Sequence, residues 1–263
     1  MQRGVQPLRP DRRQRMGGLG HQRRALRRQV QGAPGDDRPH AHAAGIDTHT
    51  ARYGQKVLAF NATHPLPHDN VSTEIYNQGG AFTTVPLPDI KGSPASAIVW
   101  MNDGAEAQRL AGLPLAEFNA EMTTRSCGFL GPMERAGGLG MWPVITRRAL
   151  HLTAERVALV AEAAHALPPI GAQGLNTSLH DVATLLDFAR ADPAGLGSAD
   201  QLARYAKARE RDIALRARAI DTFNRVCKSA NPTLQALRRA GLKATHDIAP
   251  LRRRVMRAGL GTR

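Results

Sequence analysis

ALVAEAAHALPPIGAQGLN, residues 158–176, is the stretch on which the reading of this chain turns. The apolar run Val157–Val160 has the length and branching of a short buried strand. It gives way to the small residues Ala161, Ala163 and Ala164, with Glu162 and His165 set among them. Pro168 and Pro169 stiffen the loop that follows, and Gly171 and Gly174 permit tight backbone geometry. A helix begins near Leu175, so its unpaired N–H groups and the positive end of its dipole point into the turn. Small side chains let a ligand approach the backbone, and α/β folds place ligands at the carboxyl ends of strands. A planar ligand with negative charge on one edge meets these needs, with the Glu162 carboxylate beside it to take a sugar hydroxyl. A reduced flavin and its ribityl chain have that chemistry.

Composition sets the bounds. The chain has 263 residues, 42% of them hydrophobic, which is enough for one large domain or two small ones around a real core. No run approaches the roughly 18 apolar residues of a membrane span. The arginine-rich start has no apolar h-region, so it does not read as a secretory signal. Cys127 and Cys227 match no metal spacing, and a reduced cytoplasmic compartment is the default. The formal net charge of +14 is unevenly spread. Ten arginines against three acids fill residues 1–42, and sixteen basic against four acidic residues fill 201–263. The middle is mildly acidic. The basic C-terminal segment lacks the aromatic interleaving of a nucleic-acid binder, so no nucleic-acid partner is expected. A solvated face, or contact with anionic lipid or a partner protein, is the reading for it.

Residues 1–42 mix Arg, Gln, Gly, Pro and His without periodicity, a disordered composition. Arginine without lysine suggests a segment read in the wrong frame, and a true basic arm is the alternative. From Ala43 onward the pattern is ordered. Residues 55–63, 71–77, 81–87 and 95–101 read as an antiparallel meander, with a turn at Gln78-Gly79-Gly80. Asp103 is placed to cap a helix over 104–111, and Pro114 opens another that carries Leu115, Phe118 and Met122. Residues 141–152 return to strand. Helices are predicted over 175–190, with Leu179, Val182, Leu185, Leu186 and Ala189 on one face, and over 199–227, with Leu202, Tyr205, Ile213, Ile220 and Phe223 as the stripe. Two basic helices follow, over 233–242 and from Pro250. The domain reading is 43–152 as sheet with helices, 153–198 as the strand–turn–helix corner, and 199–263 as basic helices. The fold class is α+β.

RVALVAEAAHALPPIGAQGLNTSLHDVATL resembles the second flavin motif of the FAD-dependent aromatic hydroxylases. The similarity is to the branch that hydroxylates polyprenylated phenols in ubiquinone biosynthesis, and it spans residues 43–261. The resemblance implies FAD as cofactor, NAD(P)H as reductant and dioxygen as co-substrate. It implies a sheet and C-terminal helices belonging to a Rossmann-type FAD/NAD(P)-binding fold. Carried over, Glu162 stands for the family's ribityl-binding Asp, and Pro169 lies beside the ring. Gly171, Ala172, Gln173, Gly174, Leu175 and Asn176 line the flavin, and Asp181 falls on the family's helix Asp. His165 has a structural place in that motif. Phe82, Thr84 and Trp100 are the expected substrate wall. The localisation implied is cytoplasmic, peripheral at the inner membrane face.

Two departures stand out. The family's Gly-Asp is Ala161-Glu162, a methyl and a methylene larger. The Gly-x-Gly-x-x-Gly unit that cradles the FAD pyrophosphate is not legible: Gly17–Gly20 and Gly137–Gly140 lack the strand and helix that it needs, and both read as loops. The Asp-Gly motif expected before Ala43 is also not legible. The chain therefore reads as the C-terminal portion of a hydroxylase. A remnant that holds no FAD is the alternative to an active monooxygenase. The histidines His40, His42, His49, His64 and His68 match no zinc spacing, so no metal is expected.

Overall fold

A computed structural model describes residues 38–76, 79–171, 173–228 and 231–260. Residues 1–37, Gln78 and Ala172 lie outside them, and so does the Gly17–Gly20 run. A short helix α1 (Arg38–Ala43) leads into a sheet of six strands in the order β2-β3-β4-β1-β5-β8. The strands are β1 (Thr48–Thr63), β2 (Thr73–Ile75), β3 (Phe82–Ile90), β4 (Ser93–Asp103), β5 (Glu134–Ala149) and β8 (His165–Ala166), and every pairing is antiparallel. Helices α2 (Gly104–Ala111) and α3 (Leu115–Arg125) connect β4 to β5. The chain closes with α4 (Gln173–Ala191), α5 (Ala199–Lys228), α6 (Pro232–Asp247) and α7 (Ala249–Leu260). The fold is α+β.

The long strands follow from their β-branched and aromatic content, but they run further than the sequence pattern reaches. Strand β1 begins at Thr48 and crosses a bulge at Arg52–Lys56, where Gly54 takes φ +69°. The glycine run Gly137–Gly140, expected as a loop, lies inside β5, beside a second irregularity opposite Ala59–Asn61. With Leu139 as its one side chain to pack, it forms a bulged strand. Asp103 stands at the N-cap of α2 as expected. Its side chain makes no capping hydrogen bond and instead meets Lys228 Nζ at 2.8 Å, tying the sheet's end to α5.

The sheet is packed on both faces. One face carries Leu58, Phe60, Phe82, Ile98 and Trp100, which pack with Leu110 of α2 and with Phe118 and Met122 of α3. Phe82 and Trp100 are register partners and meet edge-to-face at 5.5 Å, and Phe60 meets Phe118 at 5.2 Å. The other face carries Val57, Ala81, Met101 and Val144, covered by Ile170 and by Ile220 and Phe223 of α5. A third cluster packs Ile46, Leu152 and Leu159 against Tyr205 and Ile213 of α5. The α5 stripe is as predicted: Leu202, Tyr205, Ile213 and Ile220 are all buried. No disulfide joins Cys127, which is exposed, to Cys227, which is buried.

Two expectations need correction. Val157–Val160 is not a buried strand of the main sheet. Only Val157–Ala158 (β7) is paired as strand, with β6 (Thr153–Ala154) in a separate hairpin, and Val157 is exposed. The apolar run is consumed as anchors instead: Leu159 is buried beneath Tyr205, whose hydroxyl donates to Leu159 O at 2.8 Å. The apolar face read on α4 is only partly the buried one: Leu185 packs against the core. Leu179, Val182 and Leu186 are exposed together with Leu175, while Thr177 and Asp181 are fully buried.

Candidate functional site

The corner at 158–176 is built around one carboxylate. Asp181 of α4 is fully buried and accepts three hydrogen bonds: from His165 Nε2 (2.7 Å), Arg209 Nε (2.8 Å) and the backbone N–H of Ala161 (2.9 Å). That last bond pins Ala161 at φ +54°, a conformation costly for a residue with a Cβ. It turns the chain into the 3-10 turn Ala161–Ala163. Burial alone would raise the Asp181 carboxyl, but the bonds from His165 and Arg209 outweigh it and hold the group below the ordinary aspartate value. Arg209 also reaches Asp212, which in turn binds Arg216. His165 Nδ1 is buried without a hydrogen-bond partner. His165 therefore belongs to the scaffold of the corner, reached from strand β8.

Beyond the turn the chain opens to solvent. Glu162, Pro169, Gly171, Gly174 and Leu175 are exposed, and Asn176 is half-buried. Gly171 sits at φ +62°, the left-handed region that glycine enters at no steric cost. A Cβ added at Gly174 would meet nothing within 4 Å, so the first turn of α4 faces open space. No acidic side chain stands in that turn. Gln173 is fixed: its Nε2 donates to Gly171 O at 3.0 Å, and its Oε1 accepts from Arg216 Nη1 at 2.9 Å. Ile170 is the loop's apolar anchor, packed with Val57, Met101 and Val144. The corner thus stands over the Met101 face of the sheet.

The residues expected as the substrate wall do not face the corner. Phe82, Thr84 and Trp100 are at 0%, 1% and 2% exposure and point to the opposite face, into α2 and α3. Alternation along a strand separates two faces but does not say which one meets a given partner. The face toward the corner carries Thr83, Val99 and Met101, and further out Ala59, Val85 and Ala97. A polar cavity of about 220 Å³ near the sheet's end is lined by Trp100, Asn102, Asp103 and Arg125 among others.

The histidine pair His64 and His68 makes structural contacts. His64 lies 2.7 Å from Leu66 O and 3.0 Å from Ser96 Oγ, and His68 lies 3.1 Å from Leu87 O. Among the described residues, no helix is long and apolar enough to cross a membrane.

The sequence pattern of the family described as the FAD binding domain matches residues 21–220. The chain belongs to that family. Among its relatives, the ubiquinone hydroxylase of Rhodospirillum rubrum is 30% identical over 238 residues, covering 89% of this chain and 54% of that protein. The 3-demethoxyubiquinol 3-hydroxylase of Escherichia coli is 26% identical, covering 88% of this chain and 59% of that protein. The chain spans about half the length of these curated relatives. Among solved structures, p-nitrophenol 4-monooxygenase from Pseudomonas putida superposes with a TM-score of 0.65 at 18% identity, covering 85% of this chain and 57% of that one. A flavin-dependent brominase superposes at 0.63 and 13% identity, covering 88% of this chain and 56% of that one. At such identities the likeness speaks for the fold alone.

The residues present fit the ring end of an FAD. A helix start without acids, a loop glycine at positive φ and open space beside Gly174 together make a seat that a flat ring edge can approach. The glycine run of β5 is sheet, and the described residues hold no glycine-rich turn between a parallel strand and a helix.

Proposed function

We propose that this chain is the ring-binding and substrate-facing part of an FAD-dependent monooxygenase that hydroxylates a polyprenylated phenol in ubiquinone biosynthesis, with NAD(P)H as reductant. Bound FAD would supply the oxygen chemistry, which no side chain supplies by itself. The residues of this chain position and shield. The backbone at Gly171 and Gly174 lets the ring approach closely, and the N–H groups opening α4 favour negative charge along its edge. Pro169 borders the ring, Gln173, Leu175 and Asn176 line it, and Glu162 reaches the ribityl hydroxyls. The outer part of the corner-facing sheet face, with Ala59, Val85, Ala97 and Val99, is small and apolar and suits a flat phenol with a prenyl tail.

The observation that carries this reading is the open start of α4, with no acidic residue in its own first turn, set beside the Asp181-anchored turn and over the Met101 face of the sheet. The names of the hydroxylase relatives support the substrate class. Purification and a visible spectrum test it. The expected result is a yellow protein with flavin absorbance, or a colourless one that quenches added FAD fluorescence. A colourless protein that leaves FAD fluorescence unchanged sinks the reading and favours a remnant without cofactor.

We further propose that the C-terminal helices rest on an anionic membrane surface. Arg252, Arg253, Arg254 and Arg257 of α7 are exposed beside Leu251, Val255 and Met256, the pattern of a helix lying in the interface. A substrate with a polyprenyl tail is delivered from such a surface.

A further inference from the structure

We propose that Glu74 is a positioning residue for the flavin seat, the clamp that fastens the Gly171 loop to the sheet; this rests on the flavin reading above. Glu74 lies on β2, and 97 residues separate it from Gly171, yet its Oε1 accepts the Gly171 backbone N–H at 3.0 Å. The carboxylate is oriented from its own sheet. Thr83, its register partner on β3, donates to Oε1 at 3.4 Å, and the Tyr76 hydroxyl donates to Oε2. Tyr76 is fixed in turn: Arg238 Nη2 binds its carbonyl, and its ring meets Phe223 edge-to-face at 5.3 Å. Burial and the neighbouring Glu74 carboxylate both push the Tyr76 hydroxyl pKa upward, so it remains a donor.

The Gly171 peptide is thereby held from two sides. Its carbonyl takes the Gln173 amide, which Arg216 of α5 holds, and its N–H takes Glu74. Pro169 and Gly171 are otherwise exposed, and Ile170 is the loop's buried anchor. A glycine at positive φ on an exposed loop has many unbound conformations, and a charge-assisted bond from a preoriented carboxylate removes most of them. Glu74 thus sets the loop at the geometry that the ring requires before the ring arrives.

Hydrogen exchange on the flavin-free protein, followed by FAD titration, tests this with Glu74→Ala and Glu74→Gln. In Glu74→Ala, exchange at Gly171 is expected to rise about tenfold and FAD affinity to fall by a similar factor. Glu74→Gln keeps an acceptor for the amide and is expected to restore both to within about twofold. Unchanged exchange in Glu74→Ala overturns the proposal, and so does faster exchange with unchanged FAD affinity. Should Glu74→Ala fail to fold, Thr83→Val, which withdraws one orienting donor, must still raise exchange at Gly171 or the proposal falls. If no form binds FAD, including the unmutated chain, the flavin reading fails, and exchange alone decides whether Glu74 clamps the loop.

Discussion

Asp181 shows how much one side chain can decide. Its carboxylate, carried on α4, joins β8, α5 and the left-handed Ala161 at one point. Removing it leaves the buried Arg209 guanidinium with Asp212 as its remaining carboxylate partner, so Asp181→Ala is expected to cost about 3 kcal/mol in urea unfolding, the low end for breaking a buried pair. The pH dependence follows from the lowered native value. Such a group contributes stability that is complete above the unfolded aspartate pKa, near pH 4, and is lost as the pH falls through the lower native value. Asp212, which its ion pairs with Arg209 and Arg216 hold low against the opposing effect of burial, contributes with the same sign. Urea midpoints measured from pH 6 downward should fall steeply below about pH 4, and the fall should be shallower in Asp181→Asn. Parallel curves for the two proteins would remove Asp181 from the account. Little of this was legible beforehand: an Asp in a helix and a His in a loop are visible in the chain, but their 2.7 Å contact is not.

At the scale of elements, α4 and α5 make the contrast. On α5 the apolar stripe predicted the buried face because one flank meets the sheet and the other flanks hold arginines. On α4, Leu179, Val182 and Leu186 of the predicted face are outward, in a row with Leu175, while Leu185 packs inward with Phe188 on the side where Asp181 and Thr177 make the polar bonds that dock the helix. An exposed row of four large apolar residues promotes association. Light scattering of the purified chain is expected to show concentration-dependent self-association that Leu179→Glu with Leu186→Glu abolishes. Because these positions are exposed, the double variant should lose less than about 1 kcal/mol of stability. A monomer at high concentration in the unmutated chain would contradict this. The sheet tells the same story. Strand existence could be read from alternation, whereas the face turned to the corner could not, so Phe82, Thr84 and Trp100 proved to be core.

At the scale of the whole molecule, charge has its own consequence. Arginines cluster on α7 beside Leu251, Val255 and Met256, and Asp247 at the end of α6 is paired with Lys243. Co-sedimentation with vesicles is expected to be strong for anionic lipid, weak for neutral lipid and reduced by salt, since each basic residue near such a surface is worth about 1 kcal/mol. Replacing Arg252, Arg253 and Arg254 with Gln should cut binding at least tenfold while leaving FAD quenching unchanged. Equal binding to neutral vesicles would contradict a charge-driven contact.

The sequence by itself determined the helices, the meander, the α5 stripe and the location of the corner, because each rests on short-range periodicity, turn chemistry or a contiguous motif. Tertiary structure alone decided which sheet face the corner overlooks, which side of α4 is buried, that Asp181 anchors the Ala161 turn, and that Glu74 and Gln173 hold the Gly171 loop from either side. Those outcomes depend on contacts between residues tens of positions apart, where a buried carboxylate with the right donors outweighs the pull of a leucine row, and no local pattern records such a contest.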